Sequence, residues 1–284
     1  MAIEIGTAAE FANIKNWTDR GTSDSLLEIN ITADLDMGDF DEFDGLGSTL
    51  YANINGNGHT IKNIVVNVNS DLTVFDLSEN SSIYSLNFSN CNITVDGSFI
   101  LIDNAPTVLN IVWDNTNIVT TTNNIYMFHK SSTVTNSYSY ISVSGKLIAS
   151  GTLGVFYTLR ISSSSRAYGE CKNCFITANI QNAGNVILFY VVSVYNCFAR
   201  SNVTVSGSNT FRFASAGNAT LKMYYCYNAS TVSANTVYGL SSNGTIISSF
   251  YDNDKITNAT DTDNGQPTAN LKDADWLRGQ NWAI

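Results

Sequence analysis

The stretch Asn53–Val66, NINGNGHTIKNIVV, decides the fold. Asn57 and Gly58 tolerate positive φ, so the first half makes a tight turn, with His59 fixed beside it. Ile61, Ile64 and the valines that follow suit a strand, because β-branched side chains pack well on a pleated surface. One turn feeding one strand is ordinary, so the decisive question is whether the unit recurs.

It recurs. Aligning an apolar residue with Asn two positions later gives IKNIV from Ile61, IYSLN from Ile83, VLNIV from Val108 and VTNSY from Val134. CKNCF from Cys171, VYNCF from Val194, MYYCY from Met223 and IISSF from Ile246 complete the series. The starts lie 22, 25, 26, 37, 23, 29 and 23 residues apart, the spacing of a solenoid rather than of a single closed sheet. Each segment is followed by a second apolar patch: TVFDL, IYMFH, GVFYTL, VILFYV and FRFAS. Units this short bury no face alone and must stack. The fold expected is an all-β, right-handed parallel β-helix of about eight to nine coils with a short N-terminal capping helix.

Stacking predicts ladders. Asn63, Asn110, Asn136, Asn173 and Asn196 are expected to line one turn, each amide bonding the next. Cys174, Cys197 and Cys226 share a position held elsewhere by Ile64, Leu86 and Ile111, so they read as a buried column of small thiols rather than metal ligands. Tyr138, Phe175, Phe198, Tyr227 and Phe250 share the next position. They are either a core ladder, the favoured reading, or an exposed stripe that binds sugar or protein.

Three segments follow from the pattern: a cap over residues 1–50, repeats over 51–256 and a closing tail over 257–284. TAAE (Thr7–Glu10) is a capping box, with Phe11, Ile14 and Trp17 on one helical face. LKDADWLRGQNWAI closes the far end, and SSSSR (Ser162–Arg166) reads as a loop bulging from the longest interval.

Only 13% of the 284 residues are charged, and the net charge is −10. Lys and Arg are scattered, which argues against a nucleic-acid partner. No run of apolar residues reaches the length of a membrane span, and MAIEIGTAAEF lacks the apolar core of a secretory leader. Eleven acids fall between Glu4 and Asp44, and one, Glu170, between Asn115 and Tyr251. The central coils therefore offer no carboxylate pair for glycoside hydrolysis. Asp34, Asp36, Asp39 and Asp41 supply hard oxygens at short spacing, as calcium requires, but the EF-hand glycine and terminal glutamate are missing. The simpler reading is a solvated entry loop. No phosphate-binding glycine loop is present, and no cofactor is expected.

The order IEIGTAAEFANIKN, ITADLDMGDF, YANINGNGHTIKNIVV, then VxNCF segments followed by GxF, resembles the GLUG-motif family of right-handed parallel β-helix proteins. Asn57–Ile61 carries the most specific part of the likeness. Asn55 stands where Asp is common, and the G-x-F glycine is clear only at Gly154. The resemblance implies architecture more than activity. It sets the expectation of a non-enzymatic bacteriophage virion component, a fibre, spike or decoration protein located on the virion. Its partners would be other virion proteins or a host-surface glycan or protein. The resemblance allows a homotrimer as well as a monomer. A bacterial surface adhesin or carbohydrate-binding module is the second reading, and a carbohydrate-active β-helix enzyme the third.

Overall fold

The computed structural model describes residues 2–280 except 41–42, 132–136, 160–168, 218–219 and 242. It is a parallel β-solenoid of about eight turns, with two sheets running along its length. One sheet has seven strands, Leu72–Asp76, Phe99–Asp103, Ile125–Ser131, Leu153–Leu159, Val186–Tyr190, Thr210–Ser215 and Thr236–Tyr238. The other gathers the remaining strands, which carry the Asn-bearing segments.

In-register stacking is the source of the core. Ile29, Ile54, Ile83, Val108, Tyr138, Cys171, Val194, Met223 and Ile246 sit one above the next. A second inward column runs Leu35, Ile61, Phe88, Trp113, Val143, Ile176, Ala199, Asn228 and Tyr251. The seven-stranded sheet adds an aromatic stack in which Phe128, Phe156 and Phe189 lie 5.1 and 5.2 Å apart with their rings nearly parallel. Equivalent rings on neighbouring strands are held at ~4.8 Å, close to a favourable stacking distance, so the repeat itself selects aromatics there.

Two residues after each member of the first column, from Ile83 on, the backbone is left-handed. Ser85, Asn110, Tyr140, Asn173, Asn196, Tyr225 and Ser248 have φ of 54°, 53°, 55°, 53°, 54°, 53° and 45°. This is the corner between successive strands, and it explains the recurring Asn, which enters this region more readily than other side chains. Amide stacking is the lesser part. Asn196 Nδ2 donates to Asn173 Oδ1 at 3.1 Å, whereas Asn63 Nδ2 donates instead to Asp36 Oδ1 at 2.8 Å.

Two repeat starts need correction. Ile61 pairs with Phe88, so the true counterpart of Ile83 is Ile54. The misassignment arose because a second left-handed corner, through Asn63, Asn90 and Asn115, has the same signature in the early coils. The fourth segment begins at Tyr138 rather than Val134, and Tyr140 takes the left-handed place assigned to Asn136. Val134, Asn136 and the Ser162–Arg166 loop lie outside the described residues.

The turn in the opening stretch forms as expected. Asn57 and Gly58 have φ of 50° and 79°, and His59 N–H donates to Gly56 O at 2.8 Å. His59 is held from the neighbouring coil, its Nδ1 lying 3.3 Å from Asp34 Oδ1. At the N-terminus, Ile3 pairs with Ile29, so solenoid register begins within the first fifty residues. Helix Ala8–Ala12 has its capping box, and Phe11 packs on Phe43 and Phe75. At the far end, helices Thr268–Lys272 and Ala274–Gly279 have no buried residue. They are tied down by Thr268 Oγ1, which donates to Asp252, and by Trp276 on Phe250, with ring centroids 5.1 Å apart.

Replacing Asn196 separates backbone from amide effects. Asn196→Gly keeps the left-handed corner and is expected to lower stability little. Asn196→Ala is expected to cost about 1–2 kcal/mol, seen as a drop of a few degrees in Tm by circular dichroism.

Candidate functional site

The corner described above aims a set of aromatics outward. Counting from the inward Cys171, Lys172 points out, Asn173 turns the chain, Cys174 points in and Phe175 points out again. Repeating this over successive coils sets Lys172, Tyr195 and Tyr224 on one flank and Phe175, Phe198, Tyr227 and Phe250 on the other. The thiols between them are buried and unpaired, as the sequence suggested. Burial pushes the Cys171 and Cys197 thiols well up, which keeps them protonated and inert.

The predicted aromatic column is neither all core nor all surface. Phe175 is 45% exposed, and Phe198 and Tyr227 are half-buried. Phe250 is buried under Trp276. Tyr138 leaves the column altogether: it faces the core in register with Val108 and Cys171 and packs on Phe128 and Phe156. The corner gains others in exchange. Tyr195 and Tyr224 stack at 4.9 Å with rings 2° from parallel, and Lys172 Nζ, paired with Glu170 at 2.9 Å, lies over Tyr195. Tyr140 is 58% and Tyr225 38% exposed, both in the left-handed conformation. A bulky side chain there is strained, and strain kept at an exposed ring points to a contact that uses the ring.

A second set lies on the outer face of the seven-stranded sheet. Asp76, Asp103, His129, Tyr157 and Tyr190 occupy one column. Beside it run Tyr126, Gly154, Ile187, Arg212 and Tyr238. His129 Nδ1 lies 2.8 Å from Asp103 Oδ1, and its ring stacks on Tyr126 at 5.3 Å. Tyr157 lies between Tyr126 and Tyr190, at 4.5 and 4.8 Å. Gly154 makes this possible, since a Cβ there would come within 2.6 Å of the Tyr157 ring. Burial raises the Tyr157 phenol, helped by its two tyrosine neighbours, and burial also raises Tyr190, offset by Arg212.

The sequence carries no local sign that His129 pairs with Asp103. The missing signal was an alignment on Phe75, Phe128, Phe156 and Phe189, which puts Asp76, His129, Tyr157 and Tyr190 in one column. Asp103 precedes His129 by one coil and is paired with it only by the stack.

The calcium candidates do not converge. Asp34 accepts from Thr60 N–H and Asp36 from the Asn63 amide and Gly38 N–H, and these bonds hold both carboxyls below their usual range. Asp39 is exposed, and Asp41 lies outside the described residues. Among the described residues, no three His, Cys, Asp or Glu side chains come together as a metal site. Among the described residues no helix is long and apolar enough to cross a membrane.

No family model matches the sequence, and no curated protein matches it. Among solved structures, the chain is similar to a candidate immunoglobulin A1 protease from Bacteroides ovatus. The identity is 13% over 98% of this chain and 87% of that one, with a TM-score of 0.57. At that identity the likeness is one of fold. A solenoid leaves function to its surface residues.

Lys130, one residue beyond His129, is buried at 1% exposure, and among the described residues its Nζ has no hydrogen-bond partner. Burial lowers its pKa to about 8, partly offset by Glu79 and Asp103. The unfolded chain therefore binds the extra proton between about pH 8 and ~10.4, and stability from this residue rises with pH across that window. Lys130→Met is expected to raise Tm at pH 7, with the advantage over wild type shrinking to nothing above ~10.4. Paired thermal melts across pH check this.

Proposed function

We propose that the chain is a non-enzymatic attachment module, a rigid solenoid that docks on a protein partner through its aromatic corner. The observation that carries this reading is that two exposed rings, Tyr140 and Tyr225, are held in left-handed backbone along the same corner as the exposed Phe175. Large rings in left-handed backbone destabilise a fold by about 1–2 kcal/mol each relative to residues that suit the site. Aromatics are enriched among the anchors of protein interfaces. At the corner Lys172 is paired with Glu170.

The setting we favour is a bacteriophage virion, as a fibre, spike or decoration component, and the GLUG-type resemblance of the sequence supports it. A bacterial surface adhesin shares the same architecture and the same corner. A carbohydrate-active enzyme ranks third.

Mass spectrometry of purified particles and of cell envelopes from the source tests module and setting together. The chain is expected in particles at stoichiometric copy number, and its recovery only from envelopes would move it to the bacterial surface. Tyr225→Asn should raise Tm by a few degrees, since it relieves about 1 kcal/mol or more of backbone strain. That variant combined with Phe175→Ala should abolish the association. Unchanged association of the stable double variant would overturn the corner's role.

A further inference from the structure

We propose that the outer face of the seven-stranded sheet is a second binding site, for a neutral, hydroxyl-rich oligosaccharide laid along the solenoid axis. The face is separate from the aromatic corner and carries different chemistry. Within a few rungs it offers a carboxylate at Asp103, an imidazole at His129, phenols at Tyr126 and Tyr157, and a guanidinium at Arg212. Sugar hydroxyls both donate and accept, and so need both kinds of partner. Here the carboxylate accepts, the guanidinium donates, and the phenols and imidazole do either.

The groups are held rigidly, as a binding surface requires. Asp103 fixes one ring nitrogen of His129, which leaves the other to a ligand. The Tyr126 and Tyr157 rings pack 4.5 Å apart, and the absent side chain at Gly154 lets Tyr157 lie flat in the stack. Arg212 is steadied 5.2 Å over the Tyr238 ring. None of these polar side chains is needed to close the core, which the Phe128, Phe156 and Phe189 stack fills from the other side of the same strands.

Spacing and charge narrow the ligand. Rungs repeat every ~4.8 Å, roughly the length of one pyranose unit. From the strand of Asp103 to that of Arg212 is four rungs, or ~19 Å along the axis. An oligosaccharide of about four or five units would then meet one polar group per sugar. The face has no excess of positive charge, because Asp76 and Asp103 outnumber Arg212. A polyanion such as nucleic acid or a uronate polymer is therefore disfavoured.

The test is binding of the full chain to an array of neutral hexose and N-acetylhexosamine oligomers of increasing length, with uronate oligomers alongside. Isothermal titration then measures the best of these. Affinity should rise with length and level off at about four to five units. His129→Gln and Arg212→Gln should each weaken it by about tenfold, with thermal melts showing both variants folded, whereas Phe175→Ala leaves it unchanged. Tyr126→Phe, a milder change, should weaken it less. Absence of binding across the array, preference for uronates, or loss in Phe175→Ala rather than His129→Gln would overturn the proposal. Because the corner is read by particle association and this face by free oligosaccharide, either site can fail while the other stands.

Discussion

From the coil of Ile83 onward, each coil turns between strands by placing a residue in left-handed backbone, and the rest of the molecule is built on that requirement. Seven residues of three types share φ between 45° and 55° because each coil's turn is templated by hydrogen bonds to the coil beside it. Asn173 N–H donates to Tyr195 O, Asn196 N–H to Tyr224 O, and Tyr225 N–H to Ile247 O. A turn fixed in this way tolerates an unsuitable occupant such as Tyr140 or Tyr225, since its neighbours over-determine the conformation. The same turn decides which positions face out. The residue after the first column and the one four places along emerge on either side of the corner, while the thiol between them is driven inward.

How much of this could be seen in the sequence follows from the same constraint. Where backbone geometry restricts residue type, the sequence speaks clearly: the Asn57-Gly58 turn, the periodic Asn and the buried Cys column were all legible. Where geometry overrode residue preference, it did not. Tyr140 stands where Asn is expected, so the fourth repeat was displaced by four residues and Tyr138 was placed in the wrong column. Ile61 was misassigned because two corners demand the same residue, and local sequence does not say which corner a given Asn serves. The outer face of the seven-stranded sheet was invisible for another reason. Its Asp103–His129 pair exists only through stacking, and outward positions are under no packing rule that would give them a period of their own.

The two surfaces differ in how they hold their aromatics. At the corner, rings such as Phe175 and Tyr140 project from the turn with much of their area in water. On the sheet, tyrosines cover one another's faces and present edges and hydroxyls. The first arrangement suits burial against a complementary apolar surface, the second directional polar contact. A stiff scaffold is common to both, since each side chain is set by a strand paired on both sides over most of the length.

The thiol column has a further implication. Leu86, Ile111, Ile141, Cys174, Cys197, Cys226 and Ser249 fill one position in successive coils, and the last four are alike in size. The coil holding Cys174, Phe175 and Ile176 meets the one holding Cys197, Phe198 and Ala199 through nearly the same contacts that either would make with its own duplicate. A gene copying error that repeats one such coil would then yield a taller molecule with an intact core and an uninterrupted corner. Height is thus a heritable variable in this architecture, one that can drift without passing through an unfolded intermediate form.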